Sequence, residues 1–371
     1  MDKKFTIEAK KLKNIVLFNP EVGPDDLSNT ESSVFIKVSD GKLLFEILSF
    51  RYLLIGKEAL ETKENIEMIL PLKRLQDIIK SFDDNVKITF KEEKEGLISV
   101  EADGIKFKIK TCEQEGRNQI GDDRGEEYKV QRDELLESMK KVKIAMGDDE
   151  VRYYLNGIHI EVYADKKGNH HTFMVATNGH ILATYGEKKD EYKLLQKAIM
   201  PKKVIPEIIK ILEKGENEVS ISFSKNKMDI KTENLEILLK LVEGEFPDYE
   251  KVIPYNNSKE VKINNNALKD VLGKVCIVSN DKTKNVKIAI QSKNIDLEIS
   301  SSDGSMAKAD IKTDYSGEDI NTTLNAKYLL DILGQINEEN LVFKIEDGSS
   351  PLLIQQENNK NLLFVLMPIR S

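Results

Sequence analysis

Apolar positions along the chain follow two alternating periods. Stripes at period 3.6 predict short helices. One set reads Leu72, Leu75, Ile78 and Ile79; then Val204, Ile205, Ile208, Ile209 and Leu212; then Leu329, Leu330, Ile332 and Leu333. After each stripe come three segments of period-2 alternation, separated by charged or glycine turns, which predict strands. A second set interleaves with the first. Phe5-Thr6-Ile7 leads into a stripe at Leu12, Ile15 and Val16. Tyr128-Lys129-Val130 leads into Leu135, Leu136, Met139 and Val142. Val261-Lys262-Ile263 leads into Leu268, Val271, Leu272 and Val275. Strand patterns follow each of these as well.

The pattern therefore predicts six β-α-β-β-β halves. Paired, they make three domains, at 1–125, 126–255 and 256–371. The boundaries fall in the Gly/Asp/Arg-rich stretch 113–127 and in the turn-rich stretch 254–260. A sheet with one apolar face needs helices on that face only, so the expected class is α+β. Similar domains placed side by side tend to close into rings by rotation.

Composition adjusts this picture. With 40% hydrophobic and 32% charged residues, the chain reads as soluble and globular. No apolar run approaches the roughly 18 residues of a membrane span. The N-terminus is charged from its second residue and lacks the apolar core of a secretory signal. Cys112 and Cys276 are far apart and in no metal-type spacing, which argues against a disulfide scaffold or zinc site and for a reducing cytoplasm.

The net charge of −8 argues against nucleic acid as a partner. The distribution argues otherwise. The 56 basic residues are 49 Lys and 7 Arg, with no Arg between Arg152 and Arg370. Lysine is a flexible point charge that attracts phosphate without reading bases. Lysines recur on the predicted helices: Lys10 and Lys13, Lys73 and Lys80, Lys140 and Lys141, Lys202 and Lys203, Lys269 and Lys327. Acids concentrate in strands and loops. A ring lined by such helices would be positive inside and negative outside.

Four motifs carry a resemblance to a known family: VRYYLNGIHIE (151–161), VATNGHILA (175–183), GEFPDYEKVIP (244–254) and the ending FVLMPIRS (364–371). In this order, on a three-fold repeat of this length, they resemble the bacterial sliding clamps, the β subunits of DNA polymerase III. The match is firm over domains two and three. Domain one matches in pattern only, and FNPEVGPDDLSN (18–29) replaces the family's usual segment.

The resemblance implies three tandem copies of the processivity fold and a head-to-tail homodimer that encircles duplex DNA. It implies no catalysis, no cofactor and no membrane. The implied partners are DNA bound without sequence preference, the replicative polymerase, the clamp loader, and repair polymerases and mismatch-repair proteins. It further implies a peptide pocket between domains two and three, formed by Leu155, Thr177, Gly179, His180, Leu182, Pro247, Val252, Val365, Met367, Pro368, Ile369 and Arg370. Lys10, Lys73, Lys140, Lys203 and Lys269 would face DNA. Phe107 and Ile109 of one subunit would meet Ile277 and Val278 of the other.

Read from the residues alone, Leu155, Leu182 and Val365 are equally well core strand positions, and Phe107 could be buried in its own domain. Where the family commonly has Arg after the His of its second motif, this chain has Ile181. The expectation is a more apolar pocket, less tolerant of acidic peptides. All four histidines lie between His159 and His180, but no Cys or paired carboxylate stands at ligand spacing, and no nucleophile or phosphate-loop motif accompanies them. The sequon Asn321-Thr322-Thr323 is taken as fortuitous. The competing reading is a clamp-like interaction scaffold that does not encircle DNA.

Overall fold

The structure is a computed structural model that describes residues 3–17, 33–48, 52–94, 96–112, 125–214, 217–279 and 285–369. The segment 18–29, most of the first boundary stretch and Arg370 lie outside the described residues.

The six halves are all present. The first is β1 (Lys4–Glu8), α1 (Ala9–Val16), β2 (Ser33–Ser39), β3 (Lys42–Leu48) and β4 (Tyr52–Ala59). The second is β5 (Ile66–Pro71), α2 (Leu72–Lys80), β6 (Lys87–Glu92), β7 (Leu97–Ala102) and β8 (Ile105–Lys110). The third is β9 (Glu127–Gln131), α3 (Arg132–Val142), β10 (Gly157–Ala164), β11 (His170–Thr177) and β12 (Ile181–Tyr185). The fourth is β13 (Lys193–Pro201), α4 (Ile205–Lys214), β14 (Glu218–Ser224), β15 (Lys227–Lys231) and β16 (Leu235–Lys240). The fifth is β17 (Lys259–Asn264), α5 (Asn265–Val275), β18 (Asn285–Gln291), β19 (Asn294–Ser300) and β20 (Met306–Lys312). The sixth is β21 (Ile320–Asn325), α6 (Ala326–Leu333), β22 (Asn340–Ile345), β23 (Leu352–Gln356) and β24 (Leu362–Leu366).

Paired halves exchange their first strands: β1 lies beside β6 and β5 beside β2, and the later pairs do the same. The chain divides into two compact units. One comprises Met1–Leu136 and Lys203–Leu241; the other comprises Glu137–Lys202 and Val242–Ser371. The segment 126–255 is thus shared between the units. In the first unit the strand orders are β1-β6-β7-β8 and β5-β2-β3-β4-β16-β15-β14-β9. In the second they are β13-β10-β11-β12-β24-β23-β22-β17 and β20-β19-β18-β21. Each unit therefore holds one eight-stranded and one four-stranded sheet. The long sheets form where last strands of two halves pair antiparallel, β4 with β16 and β12 with β24.

The helices bury the stripes that the sequence marks. In α2, Leu72, Leu75, Ile78 and Ile79 are buried while Lys73, Arg74, Asp77 and Lys80 are exposed. Buried polar groups serve helix ends, whose last carbonyls have no partner within the helix. Gln76 Nε2 donates to Val16 O at the end of α1 (2.7 Å). Asn265 Nδ2 donates to Ile336 O just beyond α6 (3.1 Å).

Two lysines expected on a solvated helix face take part in the same service. Lys13 donates to Phe82 O and to Asp84, both at 2.7 Å, beyond the end of α2. Lys141 is 8% exposed and donates to Gln335 O beyond α6. A cation near a helix C-terminus is favoured by the helix dipole. The 3.6 period marks which positions face outward but not which outward lysine meets a neighbouring helix end.

Candidate functional site

The site lies in the second unit, at the junction of β12 and β24. β24 (LLFVL) is apolar along its whole length, β12 (ILATY) is so but for Thr184 and the Tyr185 hydroxyl, and both are buried on both faces. Leu182 pairs with Val365 and Ile181 with Leu366. The pairing continues beyond the strands, where the Met367 N–H donates to His180 O (2.9 Å).

The turn before β12 is tightly specified. Asn178 Oδ1 accepts from the N–H groups of His180 (2.9 Å) and Ile181 (3.0 Å). Thr177 Oγ1 accepts from the Gly179 N–H (3.1 Å) and donates to Ile181 O (2.7 Å). Gly179 has φ +87°, and a Cβ there would lie 2.9 Å from Arg152 Nη1. The positive φ is what calls for glycine, while the guanidinium, at the end of a flexible side chain, could move aside.

The segment 246–253 covers one face of this sheet. Phe173, Val175, Leu182, Leu363 and Val365 form a buried cluster with Tyr249 and Ile253, and Phe246 packs against it. Beneath the cover sits a buried carboxylate, Glu161 of β10, 7% exposed. It accepts hydrogen bonds from Tyr249 Oη (3.2 Å to each oxygen) and from Tyr163 Oη, and pairs with His159 Nε2 (3.2 Å). Lys188 Nζ lies 3.7 Å from Glu161, pairs with Glu250, and sits 5.5 Å from the centre of the Tyr249 ring. His159 stacks on Phe246 with centroids 4.8 Å apart.

Burial alone would raise the Glu161 pKa. The hydrogen bonds from His159 and Tyr163 and the Lys188 charge outweigh it and hold the carboxyl at about 2. Burial also opposes the charge on Lys188, but Glu250, Glu161 and Tyr249 raise its pKa above the ordinary lysine range. For Tyr249, burial and then the Glu161 charge push the phenol well above its usual value. This latch holds the cover on the sheet.

Between the cover and the β12–β24 junction lies a cavity of about 230 Å³. Nine of the twelve expected residues line it: Leu155, Thr177, Gly179, His180, Leu182, Pro247, Val252, Val365 and Met367. Leu155, Leu182 and Val365 are at most 3% exposed, so they are core and pocket floor at once. Pro368 and Ile369 do not line this cavity. The Ile369 N–H donates to Thr323 O of β21 (2.8 Å), and its side chain lines a separate hollow on the face of the β18–β21 sheet.

Four lining residues lie outside the expected set: Arg152, Tyr154, Ile181 and Tyr249. Arg152 and Tyr154 both precede Leu155 inside the first motif, Ile181 lies in the second, and Tyr249 closes FPDY; membership of a motif is the signal that marks them. Arg152 bears on the Ile181 departure, because it brings a guanidinium to the pocket from another segment. That group is held by Asp149 through Nε and Nη2, both at 2.8 Å.

Two family models match the chain one after the other from residue 129 onward. The central-domain model of the DNA polymerase III β subunit covers residues 129–248, and the C-terminal-domain model covers 250–370. The chain belongs to the β sliding clamp family. Its role is that of a DNA sliding clamp in replication and not that of an enzyme. It is 27% identical to the beta sliding clamp of Pseudomonas aeruginosa over 346 residues, 91% of this chain and 92% of that one. It is 31% identical to the beta sliding clamp of Caulobacter vibrioides over 242 residues, 65% of each chain. A crystal structure of the DNA polymerase III β subunit from Pseudomonas aeruginosa superposes with a TM-score of 0.90 at 26% identity, covering 99% of this chain and 100% of that chain.

The remaining expected residues of the clamp are dispersed. Lys10, Lys73, Lys203 and Lys269 are exposed on or beside α1, α2, α4 and α5, and Lys140 is half-buried on α3. Strand β8 is one edge of its four-stranded sheet, with β1 at the other. On β8 Ile109 is fully buried and Phe107 half-buried, edge-on to Phe82. Ile277 is 77% exposed just after α5, with Val278 half-buried beside it. His170 and His171 open β11, and His171 stacks on Tyr192. His180 stacks on Tyr328 of α6. Among the described residues no helix is long and apolar enough to cross a membrane.

Proposed function

We propose that this clamp works in the cytoplasm as a head-to-tail homodimer of three-domain subunits (1–125, 126–255, 256–371), closed around duplex DNA, and that it tethers the replicative polymerase to its template. The sheet edges carry this reading. Within the chain, last strands of halves pair to make eight-stranded sheets, β4 with β16 and β12 with β24. The two last strands left without such a partner are β8 and β20, edges of the four-stranded sheets. Pairing β8 of one copy with β20 of another would build a further eight-stranded sheet, and the two-fold axis would repeat it, giving a ring of six such sheets, four within the chains and two between them. Exposed Ile277 is the apolar group such an interface would cover.

Lysines on the helices supply a soft, sequence-blind attraction to phosphate, which lets a topologically linked ring slide. The cavity at the β12–β24 junction takes extended peptides that bury Leu and Phe anchors, presented by polymerases, the clamp loader and repair proteins. The test is retention on nicked circular DNA after loading. A clamp stays on the circle during gel filtration and is lost when the circle is cut. Retention on linear DNA, or none on the circle, overturns the ring.

A further inference from the structure

The pocket mouth carries a charge pattern that its apolar floor does not explain. Its two polar lips are the segments 147–155 and 242–253. Among their residues stand seven carboxylates, Asp148, Asp149, Glu150, Glu243, Glu245, Asp248 and Glu250, against Arg152 and Lys251. Both cations are already neutralised within the lips. Arg152 is clamped by Asp149, and Lys251 by Asp248 at 2.7 Å. Two lysines reach in from outside and are also paired, Lys202 with Asp148 (3.7 Å) and Lys188 with Glu250. Glu150, Glu243 and Glu245 remain exposed, with no ion pair to any described residue.

These three acids border an apolar shelf continuous with the pocket. Tyr153 is 51% and Val151 84% exposed, and they alternate with the lining residues Arg152 and Tyr154. The lips meet here. A Cβ placed on Gly244, between Glu243 and Glu245, would lie 3.6 Å from Tyr154 Cβ and 3.8 Å from the Tyr153 hydroxyl. A chain leaving the pocket over Tyr153 would run past an aromatic face with unpaired carboxylates on both sides. Lysine or arginine satisfies both features, by charge attraction and by stacking of a cation on the ring.

We propose that this pocket selects extended partner peptides whose apolar anchors are flanked by Lys or Arg, and discriminates against acidic flanks. The inference rests on the reading of the cavity as a peptide site and adds the chemistry of the partner beside the anchors.

The test uses the full chain and three synthetic peptides with one common core of Leu and Phe anchors, flanked at both ends by Lys-Lys, Ser-Ser or Glu-Glu. Binding is followed by fluorescence anisotropy. At about 50 mM salt the Lys-flanked peptide should bind about 5-fold tighter than the Ser-flanked one and the Glu-flanked peptide weaker still, with the spread below about 2-fold at about 500 mM. Substituting Glu150→Gln, Glu243→Gln and Glu245→Gln together should bring the three affinities together. Substituting Glu61→Gln, Asp103→Asn and Glu233→Gln, acids of the other unit, changes the net charge equally and should leave the spread intact. Equal affinities for the wild-type chain, or a spread that survives the first triple substitution or is lost in the second, overturn the proposal. If the Ser-flanked and Lys-flanked peptides both fail to bind, the peptide-pocket reading itself falls and takes this one with it.

Discussion

Replacing Glu161 by Gln should unlatch the cover of the pocket without emptying its core. The side chain keeps its shape and one carbonyl acceptor, but loses the charge that Tyr163, Tyr249 and Lys188 surround. A carboxyl held at about 2 instead of 4.5 contributes about 3 kcal/mol to the folded state at neutral pH. The group is 7% exposed, so solvent screening removes little of this. The amide's remaining acceptor recovers about 1 kcal/mol, which leaves a net loss of about 2 kcal/mol.

The sign with pH follows from the direction of the shift. The folded pKa lies below the unfolded one, so the stabilisation is complete above about 4.5 and is lost as pH falls through about 2. The gap between wild type and Glu161→Gln should therefore be full at pH 7 and less than half as large by about pH 3. Hydrogen exchange followed by mass spectrometry on a peptide spanning 244–255 reads the latch locally. A loss of about 2 kcal/mol speeds exchange there about 30-fold. Urea titrations from pH 7 to pH 3 read the linkage. Unchanged protection of 244–255 in a folded variant, or a stability gap independent of pH, would refute the latch.

Gly179→Ala places a Cβ 2.9 Å from Arg152 Nη1 at φ +87°; the backbone strain of about 1–2 kcal/mol and the displaced guanidinium should weaken binding of the Ser-flanked peptide several-fold by anisotropy. Ile277→Glu puts a charge on the most exposed apolar residue near the expected subunit interface, so light scattering at micromolar concentration should show a monomer where the wild type is a dimer. Lys10→Gln, Lys73→Gln and Lys269→Gln together should flatten the salt dependence of DNA retention by about 0.9 in log–log slope for each phosphate no longer neutralised; an unchanged slope would remove these lysines from the DNA-facing set.

What the sequence determined by itself is the periodic part of this protein. Helix and strand periods are local, because a stripe every 3.6 residues or an alternation every two is set by which face each side chain meets. All six halves and the buried stripe of α2 are legible that way. Most of the pocket floor is legible only through the resemblance of the four motifs to the clamp family, because by pattern alone Leu155, Leu182 and Val365 read equally well as core.

Tertiary structure decided everything that depends on residues distant in the chain. Strand exchange between halves and the β4–β16 and β12–β24 junctions leave no local trace, since any apolar edge strand can pair with any other. Lys13 and Lys141 look like solvated lysines by spacing, yet meet the ends of other helices. Nothing in the local pattern marks Glu161 as a buried carboxylate. Its burial comes from a cover that arrives 85 or more residues later and brings Tyr249 to its carboxylate. Arg152 likewise becomes a pocket residue only because the turn at Gly179 is folded against it. Period is a one-dimensional property, whereas the partner of a charge is set only once the sheets have closed.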